Sequence, residues 1–133
     1  MANQLYVKAK EDFLNGNLNL SSNTVTLALV DTDVYTFSSA HLSRADVPNT
    51  AVVAANNLIN PVTTSGIYDA DDVIFPAVSG ANCEALILFH NTGDQTSSRL
   101  IAYLDTASGL PILPNGGDIT VRFSESASKI FAL

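Results

Sequence analysis

Cysteine is almost missing from this chain: Cys83 is the only one, so no intramolecular disulfide can form. Tryptophan is absent and histidine is limited to His41 and His90. Charged residues make up 14% of the chain, against roughly 25% for an ordinary soluble domain. Cations are scarcest, with six Lys and Arg against thirteen Asp and Glu, for a net charge of −7. Apart from the Lys8/Lys10 pair the cations are scattered, and no basic stripe exists to bind phosphates. The acidic balance also sets the chain against nucleic acid and anionic membrane surfaces. Long apolar runs are missing, so no segment approaches the roughly 20 residues of a membrane helix. The first residues lack the basic head and apolar run of a signal peptide, so synthesis is expected in the cytoplasm.

What is present is apolar and alternating. Hydrophobic residues make up 47% of 133 residues, enough for one core without staples and too short for two domains. A single domain over 1–133 is therefore expected. With so few ions, its surface is either covered by Ser, Thr and Asn or hidden in an interface, whose buried centre is typically charge-poor.

Residues 3–15 read as a short helix. Leu5, Ala9 and Phe13 form a stripe flanked by Tyr6 and Leu14, with Asn3 as cap and Gly16 as stop. The period then changes. Thr24–Val30 alternates, with Val25, Leu27 and Leu29 on one face, as in a half-buried strand. Val34–Phe37 reads as a short strand, His41–Val47 as a loop or helical turn, and Ala51–Leu58 as a weak strand. Val73–Phe75 is a strand stopped by Pro76. Glu84–His90 is nearly continuous in apolar residues, which predicts a central strand buried on both faces. Arg99–Asp105 returns antiparallel after a turn centred on Gly93 and Asp94. Gly109–Pro114 is irregular, pinned by two prolines, Asn115–Gly117 is a sharp turn, and Asp118–Phe123 alternates with Ile119, Val121 and Phe123 inward. Lys129–Leu133 closes the chain as a final strand. Seven or eight short strands and one N-terminal helix predict a mainly β fold, an antiparallel β-sandwich or jelly-roll-like barrel.

Catalytic chemistry finds little support. No serine sits in a G-x-S-x-G elbow, although a Ser–His–Asp set assembled in space leaves no linear trace. Cys83 lies beside an apolar strand with no basic neighbour to activate it. The histidines and the cysteine lack zinc spacing. Asp69, Asp71 and Asp72 offer oxygens to a calcium ion, but Ile74 and Gly80 stand where an EF-hand needs Gly and Glu. A solvated turn whose carboxylates cap backbone N–H groups is the favoured reading. Gly116-Gly117-Asp118 precedes neither a P-loop lysine nor a helix, so a hairpin turn is expected there. The aromatic residues lie mostly on apolar strand faces and read as core. No enzyme, cofactor or metal is expected.

Several phrases together carry a resemblance. They are Leu27-Ala-Leu-Val-Asp-Thr32, Tyr68-Asp-Ala-Asp-Asp-Val73, Phe75-Pro-Ala-Val-Ser-Gly80, Glu84-Ala-Leu-Ile-Leu88, Ser98-Arg-Leu-Ile-Ala-Tyr103, Thr106-Ala-Ser-Gly-Leu-Pro111, Pro114-Asn-Gly-Gly-Asp118 and Lys129-Ile-Phe-Ala-Leu133. In this order they resemble a family of small virion structural proteins of tailed bacteriophages, over nearly the whole chain. The resemblance implies a virion component synthesised in the host cytoplasm, and it brings no catalytic or metal residues. Scaffolding and tape-measure proteins are helical, and portal and major capsid proteins are larger. A capsid decoration (cement) protein is therefore expected, acting as a trimer or dimer on the major capsid protein. A neck, tail-tube or fibre-base component is the structural alternative. A carbohydrate-binding β-sandwich module is the alternative of another class, weakened by the absence of Trp. The two terminal segments are short and apolar, so they either pack on their own domain or contact a partner. The partner reading selects Leu5, Tyr6, Phe13, Ile130, Phe131 and Leu133.

Overall fold

The computed structural model describes residues 3–105, 110–123 and 130–132, the last two of these without their side chains. It is mainly β, as expected, with antiparallel sheets and one short helix. The elements are β1 (Gln4–Leu5), α1 (Val7–Leu14), β2 (Val25–Val30), β3 (Val52–Asn57), β4 (Val62–Thr64) and β5 (Ile67–Asp69). They continue with β6 (Val73–Phe75), β7 (Ala85–His90), β8 (Leu100–Leu104), β9 (Ile119–Val121) and β10 (Phe131–Ala132). The main sheet has the order β1-β8-β7-β2-β3, and two smaller sheets, β10-β5-β4 and β6-β9, pack into the same sandwich-like core through Tyr68, Val73 and Phe75.

β2 and β7 form the centre, paired from Val25↔His90 to Val30↔Ala85. Leu27 and Leu88 face each other on one side of this sheet, while Ile87 and Tyr103 share the other. The expected antiparallel partnership of the 84–90 and 99–105 segments is present as β7 and β8. β2 departs from the half-buried expectation, because every one of its residues is buried. Thr26 and Ala28 look like an outward face in sequence but are small enough to be covered. The Thr26 hydroxyl donates to Asn57 Oδ1 at 2.7 Å and accepts from Asn91 Nδ2 at 3.1 Å, so its burial leaves no polar atom stranded.

Two local expectations are corrected. The helix does not begin at residue 3. Gln4 and Leu5 pair with Tyr103 and Ala102, and the Tyr6 N–H donates to the Ile101 carbonyl. A sheet edge thus takes these residues before a helix can nucleate, and Asn3 Oδ1 accepts the Asp105 N–H instead of capping. Gly16 does end the helix, at φ +76°. Val34–Phe37 is not a strand. The Asp31 carbonyl accepts the N–H groups of Val34 and Tyr35, and its carboxylate accepts that of Asp33, so these donors go to a turn rather than a ladder.

Asp69, expected in a solvated turn, instead ends β5 of a β4–β5 hairpin that was not expected from the sequence, while other segments lie closer to their patterns. A 3-10 turn covers Arg44–Asp46, with Ser43 and Asp46 closing a capping box. The 118–123 alternation forms only Ile119–Val121, paired with β6, and its inward residues are half-buried. The terminal strand exists as β10 on β5, while Leu133 lies outside the described residues.

Candidate functional site

An open groove of about 340 Å³ indents the surface. Phe13 of α1 and the Gly16–Ser21 connection form one wall, and Thr63, Gly66, Ile67 and Tyr68 of the β4–β5 hairpin form the other. Gly16 turns the chain back at the helix end, which lets Leu18 and Leu20 drop into the core beside Phe13. Across the groove, Thr63 stands opposite Tyr68 in the hairpin register. The lining has no carboxylate, ammonium or guanidinium. Its one titratable group, the Tyr68 phenol, is pushed up to about 12 by burial and stays neutral.

The surroundings add apolar and unpaired features. Leu14 follows Phe13 and is 89% exposed, and Val62 at the start of β4 is also exposed. Within its sheet β4 is an edge strand, and its sequence Val-Thr-Thr carries none of the charges that usually guard such an edge.

The structure redistributes the residues expected to meet a partner. Phe13 lines the groove. The Ile130 N–H donates to the Tyr68 carbonyl, and β10 pairs with Ile67 and Tyr68. The helix and the terminal segment, far apart in sequence, are thus brought to the same strand β5. Ile130 and Leu5 are half-buried against the core. Tyr6 is 0% exposed and belongs to the core, which corrects its selection as a surface residue. Its hydroxyl bonds Tyr35 rather than reaching outward. The Phe131 side chain and Leu133 fall outside the described residues.

The titratable candidates are engaged in the fold. His41 Nδ1 is bonded to the Tyr35 hydroxyl at 2.7 Å. The Cys83 thiol is fully buried, is pushed up to about 11 by desolvation and points at the Ala81 carbonyl. Asp71 accepts from Asn60 Nδ2, Asp72 accepts the Phe123 N–H, and Asp69 is a β5 residue opposite Val62. No group of three or more His, Cys, Asp or Glu is placed to hold a metal among the described residues. No described helix is long and apolar enough to cross a membrane.

No local sequence pattern marks the groove. It is built from segments some fifty residues apart, and only the alternation of Leu18 and Leu20 after Gly16 hints that this connection is tied to the core. Comparison with known families gives no matching family model, and comparison with curated proteins gives no match.

Proposed function

We propose that this chain is a structural protein of a tailed-bacteriophage virion, a capsid decoration protein that binds across neighbouring major capsid subunits. It works as a homo-oligomer, a trimer or dimer, and performs no catalysis. The observation that carries this reading is the neutral groove with its apolar rim, on a chain with only 14% charged residues. Such a surface can be desolvated by a partner without stripping water from ions, which is the largest cost of burying a polar interface.

The stabilising mechanism is linkage. A protein that binds only the assembled, expanded shell shifts the equilibrium toward that shell. Bound at repeated geometry, each oligomer gains avidity by engaging several capsid subunits at once. Its own symmetry then matches a local symmetry axis of the lattice.

The test is binding of the purified chain to expanded empty capsids of the phage whose genome encodes it. Saturable binding, with higher thermal and osmotic resistance of the shells, is the expected result. Failure to bind capsids, with incorporation into isolated tails or necks, overturns the decoration role and selects the tail alternative. Binding to neither but to immobilised glycans selects the carbohydrate-binding alternative.

A further inference from the structure

Two buried phenols and a histidine form a hydrogen-bonded chain that the function above does not use. The Tyr6 and Tyr35 hydroxyls are 2.9 Å apart, and the Tyr35 hydroxyl is 2.7 Å from His41 Nδ1. Tyr6 is 0% and Tyr35 2% exposed, so neither hydroxyl is compensated by bulk water. Burial raises both phenols above their ordinary range, so each keeps its proton.

The proton inventory of this chain is tight. Between the side chains it has two gaps, Tyr6–Tyr35 and Tyr35–His41, and two hydroxyl protons to fill them, while the Ser38 backbone N–H only donates to the Tyr35 oxygen and offers no acceptor. Both gaps are filled when Tyr6 donates to Tyr35 and Tyr35 donates to a bare Nδ1. The imidazole is then neutral, with its own proton on Nε2. A further proton on Nδ1 fills the second gap from the other end. Two hydroxyl protons then compete for the one remaining gap, and one of them loses its acceptor inside the core. Stranding a buried donor is the costly side of hydrogen bonding.

We propose that the Tyr6–Tyr35–His41 chain is an acid-sensitive clasp, which holds the 35–41 segment to the start of α1 and loosens when His41 takes up a proton. The clasp sits where three parts of the fold meet. Tyr6 precedes α1, Val7 N–H donates to the Ser39 carbonyl, and the Phe37 ring packs 5.2 Å from Tyr6 and 4.4 Å from Tyr103 of β8. Tyr103, beside Tyr35 at 6.2 Å, is also a neutral phenol, pushed up to about 12 by burial. Among the described residues, Asp46 of the 3-10 turn is a charged group that faces His41, and it attracts the imidazolium. Asp46 is exposed, and its carboxylate accepts the Leu42 and Ser43 N–H groups, so that attraction is screened by water and shared. The stranded hydroxyl, inside the core, has no such relief.

The experiment compares denaturant unfolding of the full chain at pH 7.5 and 5.5 with that of His41→Asn, whose Oδ1 accepts from Tyr35 but takes up no proton. His90→Asn is run beside it, because partial burial lowers the affinity of His90 for a proton and gives it an acid dependence of its own. The parent should lose about tenfold in its folding equilibrium constant over this range beyond any loss in His41→Asn. An equal loss in both chains overturns the proposal. Should His41→Asn not fold, imidazole nitrogen shifts of the parent decide the matter. A bare Nδ1 at pH 7.5, with a broadened Tyr6 and Phe37 environment at pH 5.5, supports the clasp. A proton on Nδ1 at pH 7.5 overturns it.

Discussion

The Asp12 carboxylate is buried against the Arg99 guanidinium, with Oδ2 3.8 Å from Nε, and Lys8 Nζ lies 3.7 Å from Oδ1. Asp12 is 1% exposed, and Oδ2 has no hydrogen bond among the described residues. The contact therefore ties α1 to the start of β8 by charge rather than by directed hydrogen bonds. Lys8 and Arg99 both reach solvent, which limits what each contributes. Arg99→Met should destabilise the chain by about 2 kcal/mol, because a buried carboxylate loses its nearest guanidinium. Adding Asp12→Asn should recover part of that loss. Urea unfolding of the two single variants and the double variant measures the coupling. Strict additivity would show that the pair is only a neighbourly arrangement.

Leu27 tests the centre of the main sheet. It is fully buried in β2 opposite Leu88 of β7. Leu27→Ala should cost about 3 kcal/mol, the middle of the range for a leucine cavity in a packed core. A cost under roughly 1 kcal/mol would mean the site collapses freely and is not tightly packed.

That centre was plain in the sequence, and the groove was not. The apolar runs at 25–30, 85–90 and 100–104 report their own burial, since alternation and apolar density are local properties of a strand. The inversion of Thr26 and Ala28 was hidden because small residues look alike whether water or a neighbouring layer covers them. Val34–Phe37 has strand-like residues but lost to Asp31, whose carbonyl and carboxylate claim the N–H groups of 33–35 first. Leu5 lost its helix to the β8 edge, a partner about a hundred residues away. The groove joins α1 to the β4–β5 hairpin, and no local periodicity encodes such a meeting. Phe13 was legible as a helix-face residue, but its position across from Tyr68 was not.

Phe13 and Leu14 separate packing from docking. Phe13 packs against the core and lines the groove, whereas Leu14 is almost wholly exposed. Leu14→Ser should change stability by less than about 0.5 kcal/mol. Phe13→Ala should cost about 1–2 kcal/mol, less than a fully buried phenylalanine. If the rim of the groove meets the capsid, both variants weaken capsid binding, with Leu14→Ser doing so in a chain of parental stability. Sedimentation of labelled protein with expanded shells reads the binding. Parental affinity in Leu14→Ser would remove the helix end from the interface.

Cys83 should behave as a buried hydrophobe. Its thiol is raised to about 11 by desolvation, with the nearby charges of Glu84 and Asp31 adding to the shift. At neutral pH it is protonated and shielded, so a colourless aromatic disulfide reagent should react with it only as fast as the chain opens. Reaction in native buffer at the rate of a free thiol would place Cys83 at the surface and contradict the core assigned here.

His90 sets a pH dependence of its own. It ends β7, and partial burial lowers its affinity for a proton below the ordinary histidine value. The unfolded chain, with its histidine near 6.5, then binds more protons than the folded one whenever pH falls below that value. Stability is therefore fully present above about pH 6.5 and declines as pH drops toward the lower folded value. His90→Gln should flatten this part of the profile while leaving the plateau at pH 8 nearly unchanged. Because proton uptake at His41 is proposed to loosen the clasp, the two single variants and their double variant must be compared. Both segments border the start of β8, since the His90 N–H donates to the Arg99 carbonyl and the Leu100 N–H to the Leu42 carbonyl, so the double variant measures whether the two effects add or couple. A profile in His90→Gln that still falls as steeply as the parent's, once His41→Asn is also present, would show that neither imidazole governs the acid limb.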